Sequence, residues 1–521
     1  MALDILIKNG TIIDGAGTPR YRADVAIKSG RISRIGFLGN QTAQTVVDAT
    51  GLFVTPGFID INNASDRHWT LMDHPSMESF IYQGVTTIVG GSCGSSLAPL
   101  ATGNIIANIQ KWADISRINV NWSTVEELFE EIKKKKLMLN FSTLIGHATL
   151  RRNIVKDEFR ELTGAEIAQM GHLLKTALND GARGFSTALN YSHAKMATTE
   201  EIAELTSILK PDQVYSAHLR DEENFVYESV LEAIEIAKKN KTNIEISHLK
   251  VVGENNWHLF DKCLEAIHKA PADGLNINFD IYPYTSTASV FYTFLPDWAA
   301  VGGRAKLVEN LKDPDMKAKI ITEMKPREEE FKNIIIAFGN IDKTFVGKTL
   351  ENIAKNQGTG ILEAMINLLI AAEGKLVVFW PALSEENFIK ALKSPLSIIA
   401  SDGAAYNLRD AEEGYMVHPR SFGCFTRVLS YYARDKKIIS FEEAIKKITA
   451  LPALKMGFTN RGILKDGYFA DIAIFNPEAL EDLATYENPF QYSRGIDSVI
   501  INGKIAMADG KIKNQGLGQL L

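Results

Sequence analysis

The feature that most constrains the fold of this chain is the alternation of short apolar strands with amphipathic helices through its middle. Strand-like runs recur along the chain, for example Gln213–His218 and Asn243–His248, and helical stretches lie between them. In one of these, Val226–Lys239, apolar residues recur every three or four positions. Because repeated strand–helix units place their strands in parallel, the sequence predicts an α/β fold with a parallel sheet, and enough units are present for that sheet to close into a barrel.

The two ends of the chain differ from this middle region. Both contain short alternating strands joined by Asn-Gly turns, at Asn9-Gly10 and at Asn502-Gly503. Each end is too small to bury a core of its own, so we expect residues 1–54 and 460–521 to form one composite β-sandwich. The barrel then occupies residues 55–459, and a charge-rich stretch predicts an inserted small subdomain at about 300–355.

The composition excludes several classes of protein. With 45% hydrophobic and 23% charged residues, the 521-residue chain has ordinary globular usage. Its 57 Lys+Arg and 63 Asp+Glu give a net charge of −6, so neither nucleic acid nor an anionic membrane is an expected partner. Three cysteines, no signal-like start and no long apolar run predict a cytoplasmic protein. We expect a small-molecule substrate, and homo-oligomer formation is left open.

Four polar residues directly follow apolar strand-like runs. They are Cys93 after TTIVGGS, His218 after VYSA, His248 after IEIS, and Asp402 after LSIIAS. Active groups of a (β/α)8 barrel gather at the carboxyl ends of its strands. Cysteine and histidine are ligands of catalytic zinc, and a nearby carboxylate can move a water proton. Taken singly, a cysteine after a strand is more often a small buried hydrophobe, and spacing alone does not decide between the two readings.

Motifs in a fixed order resemble those of one family over nearly the whole chain. The matching segments are TPGFID (55–60), QGVTT (83–87), CGSSLAPL (93–100), GFSTAL (184–189), AHLRDE (217–222), SHLK (247–250), DIYPY (280–284), SDG (401–403), HPR (418–420) and RGILKDGYFADIAIF (461–475). The chain resembles the N-acyl-D-amino-acid deacylases, or D-aminoacylases, a branch of the amidohydrolase superfamily.

This resemblance implies a (β/α)8 TIM-like barrel that carries a β-sandwich built from both chain ends, and it also implies a zinc site and a general base. By it, zinc is expected at Cys93, His218 and His248, and Asp402 is expected to be the catalytic aspartate. The implied reaction is hydrolysis of the amide of an N-acyl-D-amino acid to a carboxylate and a free D-amino acid.

The resemblance also implies how the substrate is bound. Lys250, Tyr282 and Arg420 are expected to hold the substrate carboxylate, a task to which a guanidinium fork is suited. Tyr191 lies where family members continue into a proline-rich turn, and the loop that follows it here is expected to face the acyl pocket.

One departure from the family pattern bears on the metal content. Family members carry His-x-His after the GFID strand, whereas this chain has Asn62 and Ala64 at those positions. Residues two apart on a strand point the same way, and alanine offers no ligand. We therefore expect one zinc ion, with the second metal position empty or weak.

Two other functions remain open at this point. One is an amidohydrolase acting on cyclic amides, of dihydroorotase or hydantoinase type. The other is a catalytically inactive barrel used for binding, because a fold alone does not establish an activity.

Overall fold

A computed structural model of the protein describes residues 3–100, 120–156, 158–191 and 194–521. Its strands are β1 (Leu3–Ile12), β2 (Tyr21–Lys28), β3 (Arg31–Gly36), β4 (Ala43–Asp48), β5 (Phe53–Pro56), β6 (Phe58–Asp60), β7 (Val85–Gly90), β8 (Asn140–Thr143), β9 (Ile145–Gly146), β10 (Gly184–Ala188), β11 (Val214–His218), β12 (Asn243–Ile246), β13 (Ile277–Ile281), β14 (Thr287–Val290), β15 (Ile335–Gly339), β16 (Leu376–Trp380), β17 (Ser397–Ile399), β18 (Ile472–Phe475), β19 (Ile496–Ile501), β20 (Lys504–Ala508) and β21 (Lys511–Ile512).

The α-helices cover the strands or connect them. They are α1 (Thr70–Asp73), α2 (Glu78–Ile81), α3 (Val125–Lys135), α4 (His147–Val155), α5 (Gly164–Asn179), α6 (Thr199–Thr206), α7 (Val226–Asn240), α8 (Phe260–Lys269), α9 (Gly303–Lys312), α10 (Pro314–Met324), α11 (Leu350–Gln357), α12 (Ile361–Ala371), α13 (Glu385–Lys393), α14 (Arg420–Arg427), α15 (Phe441–Ile448) and α16 (Ala450–Lys455). In the ranges described, none of them is both long enough and apolar enough to cross a membrane.

The middle of the chain forms parallel strands in the order predicted for a barrel. One sheet has the order β6-β7-β8 and another the order β17-β13-β12-β11-β10-β9. Strand β8 of the first sheet and strand β9 of the second are separated only by Leu144. The two strands therefore run in the same direction, and so do the two sheets. Beyond the first and last strands, the Asp402 N–H donates a hydrogen bond of 2.9 Å to the Asn62 carbonyl. The carboxyl ends of all these strands therefore lie at one edge.

The burial of these strands explains why they read as continuous apolar runs. Every residue of β7, β10, β11 and β12 is buried. The helices that cover them are amphipathic, as in α7, where Val226, Val230 and Ile234 face the core. Strands covered on both faces lose the polar alternation of half-exposed sheets.

The two chain ends meet in one nine-stranded sheet. Its order is β21-β20-β19-β18-β5-β1-β2-β3, and β4 pairs with β1. Strand β5 from the first end pairs antiparallel with β18 from the second, with Val54 opposite Ile474. Ile7, Val54, Ile474 and Ile500 belong to one apolar core, so the two ends are stabilised by each other.

A separate unit lies between β13 and β17. Strands β14, β16 and β15 form an antiparallel sheet with helices α9 to α12 beside it. Its own apolar core contains Phe291, Phe331, Leu350 and Trp380. The stretch 300–355 expected from its charge to be an insertion lies inside this unit.

Replacing Arg461 by leucine is expected to destabilise the composite sheet. Arg461 forms a buried ion pair with Asp471, whose other carboxylate oxygen accepts the Asn502 N–H at 2.7 Å. Leaving one partner of a buried pair uncompensated costs about 3–5 kcal/mol. Urea unfolding followed by tryptophan fluorescence should show a clearly lower midpoint. In the matched control, Arg494→Leu at the exposed pair with Glu481, the change should stay below about 1 kcal/mol; equal midpoints for the two variants would contradict the prediction.

Candidate metal centre

Three side chains from three different strand ends of the barrel converge at the carboxyl edge of the strands. Cys93 lies in the turn after β7, His218 is the last residue of β11, and His248 follows β12. All three are buried, and their ligand atoms lie within 4.8 Å of one another. In the described part of the chain, this is the only cluster of three or more His, Cys, Asp or Glu side chains with such geometry.

The state of the nitrogen and sulfur atoms fits a metal ion. Both ring nitrogens of His218 are buried without a hydrogen-bond partner, although buried polar atoms almost always have one. The Cys93 Sγ lies 3.4 Å from the His248 Nε2, and the two imidazole rings are nearly perpendicular at 89°. One thiolate and two imidazoles are a donor set that zinc takes in catalytic sites, with a further position left for water.

The charges around Cys93 favour the thiolate, the form that binds metals. Burial by itself raises the pKa of the Cys93 thiol. The Arg67 guanidinium and the His248 imidazole outweigh burial and hold this pKa well below its usual value. For His248, burial and Lys250 lower the pKa, but the charges of Cys93 and Glu222 outweigh them and raise it to about 9.

Glu222 is a site residue to which the sequence analysis gave no role. Its Oε1 lies 3.2 Å from the His248 Nδ1 and 2.5 Å from the Lys250 Nζ. A carboxylate on the second nitrogen of a metal-binding histidine fixes the ring orientation and the tautomer. The available signal was its spacing of four residues from His218 in the AHLRDE motif.

Asp402 faces this cluster with both carboxylate oxygens paired. The Arg67 Nη2 lies 3.2 Å from its Oδ1, and the Arg420 Nη2 lies 3.0 Å from its Oδ2. Burial raises the pKa of Asp402, but the charges of Arg420, His248 and Arg67 outweigh burial and hold it well below the usual range. The carboxylate is therefore ionised.

The backbone is strained at two of the three cluster residues and at Asp402. Cys93, His248 and Asp402 have φ angles of 50°, 36° and 46°, in the left-handed region that glycine favours. Each such residue costs about 1–3 kcal/mol, and such strain clusters at functional sites. The loop of Cys93 also packs tightly, because a Cβ on Gly146 would lie 2.4 Å from the Gly94 backbone.

The residues predicted to bind the substrate line the same cavity as Cys93, His218 and His248. Arg420 is the first residue of α14, and its guanidinium carbon lies 4.8 Å from the centroid of the Tyr282 ring. Its buried Nε and Nη1 have no hydrogen-bond partner, so they are available to an anion. The Lys250 ammonium instead lies 2.5 Å from Glu222, as described above. Tyr191 lines the cavity, and residues 192–193 of its loop lie outside the described ranges.

The positions of the missing His-x-His pair carry no metal ligand. The Asn62 Nδ2 donates to the Asp280 Oδ2 at 3.2 Å. The buried Ala64 methyl lines the cavity beside Arg67, a residue that the sequence analysis did not single out. The one sequence feature that could have pointed to Arg67 is its position three residues after Ala64, the second position of the missing histidine pair.

His68 and His74, which follow the positions of the missing pair in the chain, are not part of the metal cluster. The His68 Nδ1 lies 3.0 Å from the Tyr406 hydroxyl, and the His74 Nε2 lies 3.2 Å from the Asp410 carboxylate. The three ligand atoms described above therefore form the site without them.

Comparison with known proteins adds a full-length similarity. The amidohydrolase family profile matches residues 407–507. A D-aminoacylase of Alcaligenes xylosoxydans xylosoxydans is 32% identical, covering 99% of this chain and 97% of that protein. An N-acyl-D-glutamate deacylase of Bordetella bronchiseptica, solved with zinc and a phosphonate mimic of the tetrahedral intermediate, is 30% identical over all of both chains, with a TM-score of 0.85.

A second solved structure bears on the number of metal ions. It is a D-aminoacylase with a binuclear metal center, described by one-metal activation and second-metal attenuation. It is 30% identical, covers 100% of this chain and 99% of its own, and superposes with a TM-score of 0.83. Together these similarities confirm the predicted fold class.

Proposed function

The chain belongs to the D-aminoacylase and N-acyl-D-amino-acid deacylase family of the amidohydrolases, and from this premise we propose that it hydrolyses N-acyl-D-amino acids with a single zinc ion. The products are a carboxylate and a free D-amino acid. The observation that carries the proposal is the buried cluster of Cys93, His218 and His248, in which neither ring nitrogen of His218 has a hydrogen-bond partner.

The ligand set supports one metal ion. Zinc would be held by Cys93, His218 and His248, and when bound it would lower the pKa of water and polarise the amide carbonyl. Asn62 and Ala64 supply no second imidazole pair. The one-metal activation of the related D-aminoacylase supports a single ion here.

Asp402 is the proposed general base and then the general acid. Its Oδ2 would accept a proton from the attacking water and return it to the amide nitrogen as the C–N bond breaks. In the structure this oxygen is bound to the Arg420 Nη2. A substrate carboxylate competes for that guanidinium, so substrate binding would release Oδ2 for the water proton.

Arg420 and Tyr282 are proposed to orient the substrate carboxylate. The unpaired Nε and Nη1 of Arg420 offer two N–H donors from a buried position. A charge-assisted hydrogen bond from these donors would hold the substrate carboxylate at a short distance. Lys250 is a proposed contributor of further positive charge at 2.8 Å from the His248 Nδ1.

Replacing Arg420 by methionine is expected to weaken substrate binding more than chemistry. Hydrogen bonds to charged groups contribute about 1.5–3 kcal/mol, so KM should rise by about 10–100-fold. Steady-state kinetics would measure KM and kcat separately, with Arg420→Lys as the variant that keeps the charge but loses the fork. An unchanged KM in both variants would contradict this role.

The proposed function is tested by substrate and metal measurements on the same preparation. Purified protein would be analysed for zinc by mass spectrometry and assayed on N-acetyl-D- and N-acetyl-L-amino acids with apolar and acidic side chains. We expect one zinc per chain and turnover of D substrates. Turnover of dihydroorotate or hydantoins in place of linear amides would support a cyclic amidohydrolase, and protein without stoichiometric zinc or turnover would support a binding barrel; either result overturns the proposal.

A further inference from the structure

Arg67 lies in the loop between β6 and α1, three residues after Ala64. It is only 6% exposed. Its backbone is fixed because the Arg67 N–H donates to the Asp66 Oδ1 at 2.7 Å, while the Asp66 Oδ2 accepts the Gly91 N–H at 2.6 Å. The loop that carries Arg67 is therefore tied to the loop that carries Cys93.

The guanidinium of Arg67 lines the cavity beside Asp402. Arg67, Ala64, Cys93 and Asp402 line this cavity together. The Arg67 Nη2 lies 3.2 Å from the Asp402 Oδ1, and its buried Nε has no hydrogen-bond partner. A permanent positive charge thus lies beside the Asp402 carboxylate, in a cavity that is also lined by Ala64, the residue at one position of the missing histidine pair.

We propose that Arg67 takes the electrostatic place of a second metal ion: its fixed charge positions Asp402 and restricts the centre to one zinc ion. This inference rests on the proposed one-zinc amide hydrolysis. A guanidinium cannot be deprotonated in a protein, so its charge does not depend on metal supply. It also repels a second divalent cation from the cavity wall at Ala64, whereas Cys93, His218 and His248 remain able to hold the first.

Two properties separate this role from that of a structural ion pair. A positioning residue changes kcat while KM and the zinc content stay near wild type. A merely structural pair lowers the melting temperature and leaves kcat of the folded protein unchanged. Arg151, which pairs with Glu201 at 2.8 Å and is only 1% exposed, is a matched buried ion pair outside the site.

The first experiment measures kcat, KM and zinc content in Arg67→Met, Arg67→Lys and Arg151→Met, with the best D substrate of the wild type. In Arg67→Met we expect one zinc per chain, nearly unchanged KM and a loss in kcat of about 10–100-fold, as found for residues that orient a metal site. Arg67→Lys should recover part of kcat. Arg151→Met should lower only the melting temperature.

The second experiment tests whether Arg67 prevents a second zinc ion from binding. One variant, Asn62→His/Ala64→His, carries histidines at both positions of the missing pair, and a second variant carries Arg67→Met in addition. Each protein would be dialysed against zinc and its zinc content measured. We expect one zinc while Arg67 is present and two once it is removed. Wild-type kcat in Arg67→Met, or two zinc ions in Asn62→His/Ala64→His with Arg67 still present, overturns the inference while leaving the proposed function of the wild type intact. A wild type without zinc or turnover overturns both.

Discussion

Replacing His218 by alanine is expected to abolish hydrolysis together with zinc binding. The site has three protein ligands, and removing His218 takes away one of them. Its ring nitrogens make no hydrogen bond to other protein atoms, so the main expected loss is metal binding. Without the ion, the pKa of water returns from about 7 to about 15.7, so kcat should fall by at least ~10³-fold. Zinc analysis after dialysis and kinetics with an N-acetyl-D-amino acid would measure both effects.

The control for this variant is an exposed histidine outside the cavity. His172 lies on the exposed face of α5, and His172→Ala should keep both the zinc ion and kcat. Full zinc occupancy and activity in His218→Ala would show that the cluster of Cys93, His218 and His248 is not the metal centre of the reaction.

Replacing Asp402 by asparagine is expected to separate zinc binding from catalysis. The amide of asparagine has nearly the same shape, but its single oxygen can accept from only one of the two arginines, Arg67 or Arg420, and it cannot take up the water proton. General base catalysis contributes about 10²–10⁴-fold, and we expect a loss of kcat in this range. Zinc content should stay at one ion per chain, because Asp402 is not one of the three ligands.

A half-buried carboxylate elsewhere provides the control. Asp482 pairs with Arg427 at 3.0 Å and is not among the cavity-lining residues. Asp482→Asn should therefore change stability more than kcat. Comparable kcat values for Asp402→Asn and the wild type would remove Asp402 from the mechanism.

Much of the site followed from local pattern. Cys93, His218, His248 and Asp402 were candidates because each follows an apolar run that forms a buried parallel strand, and the family resemblance supplied their expected roles. Parallel strands of one barrel end at the same edge, so residues far apart in sequence converge there. The structure brings the three ligand atoms of Cys93, His218 and His248 within 4.8 Å of one another.

Other contacts had no local signal. Lys250 was expected to bind the substrate carboxylate, and its ammonium lies against Glu222 and the His248 Nδ1. Arg67 follows a lost motif, but nothing in its neighbouring residues specifies that its guanidinium reaches Asp402, 335 positions later in the chain. Such pairings depend on how loops from different strands pack over the cavity.

The sequence by itself determined the order of elements, the barrel class and the position of the chemical groups at strand ends, since hydrophobic periodicity and strand direction are local properties. Only the tertiary structure decided which charges meet: Arg67 and Arg420 on Asp402, and Glu222 on His248. Those partners are chosen by side-chain direction and burial, because a charge removed from water must find its counterion among residues that the fold, and not the local sequence, brings near.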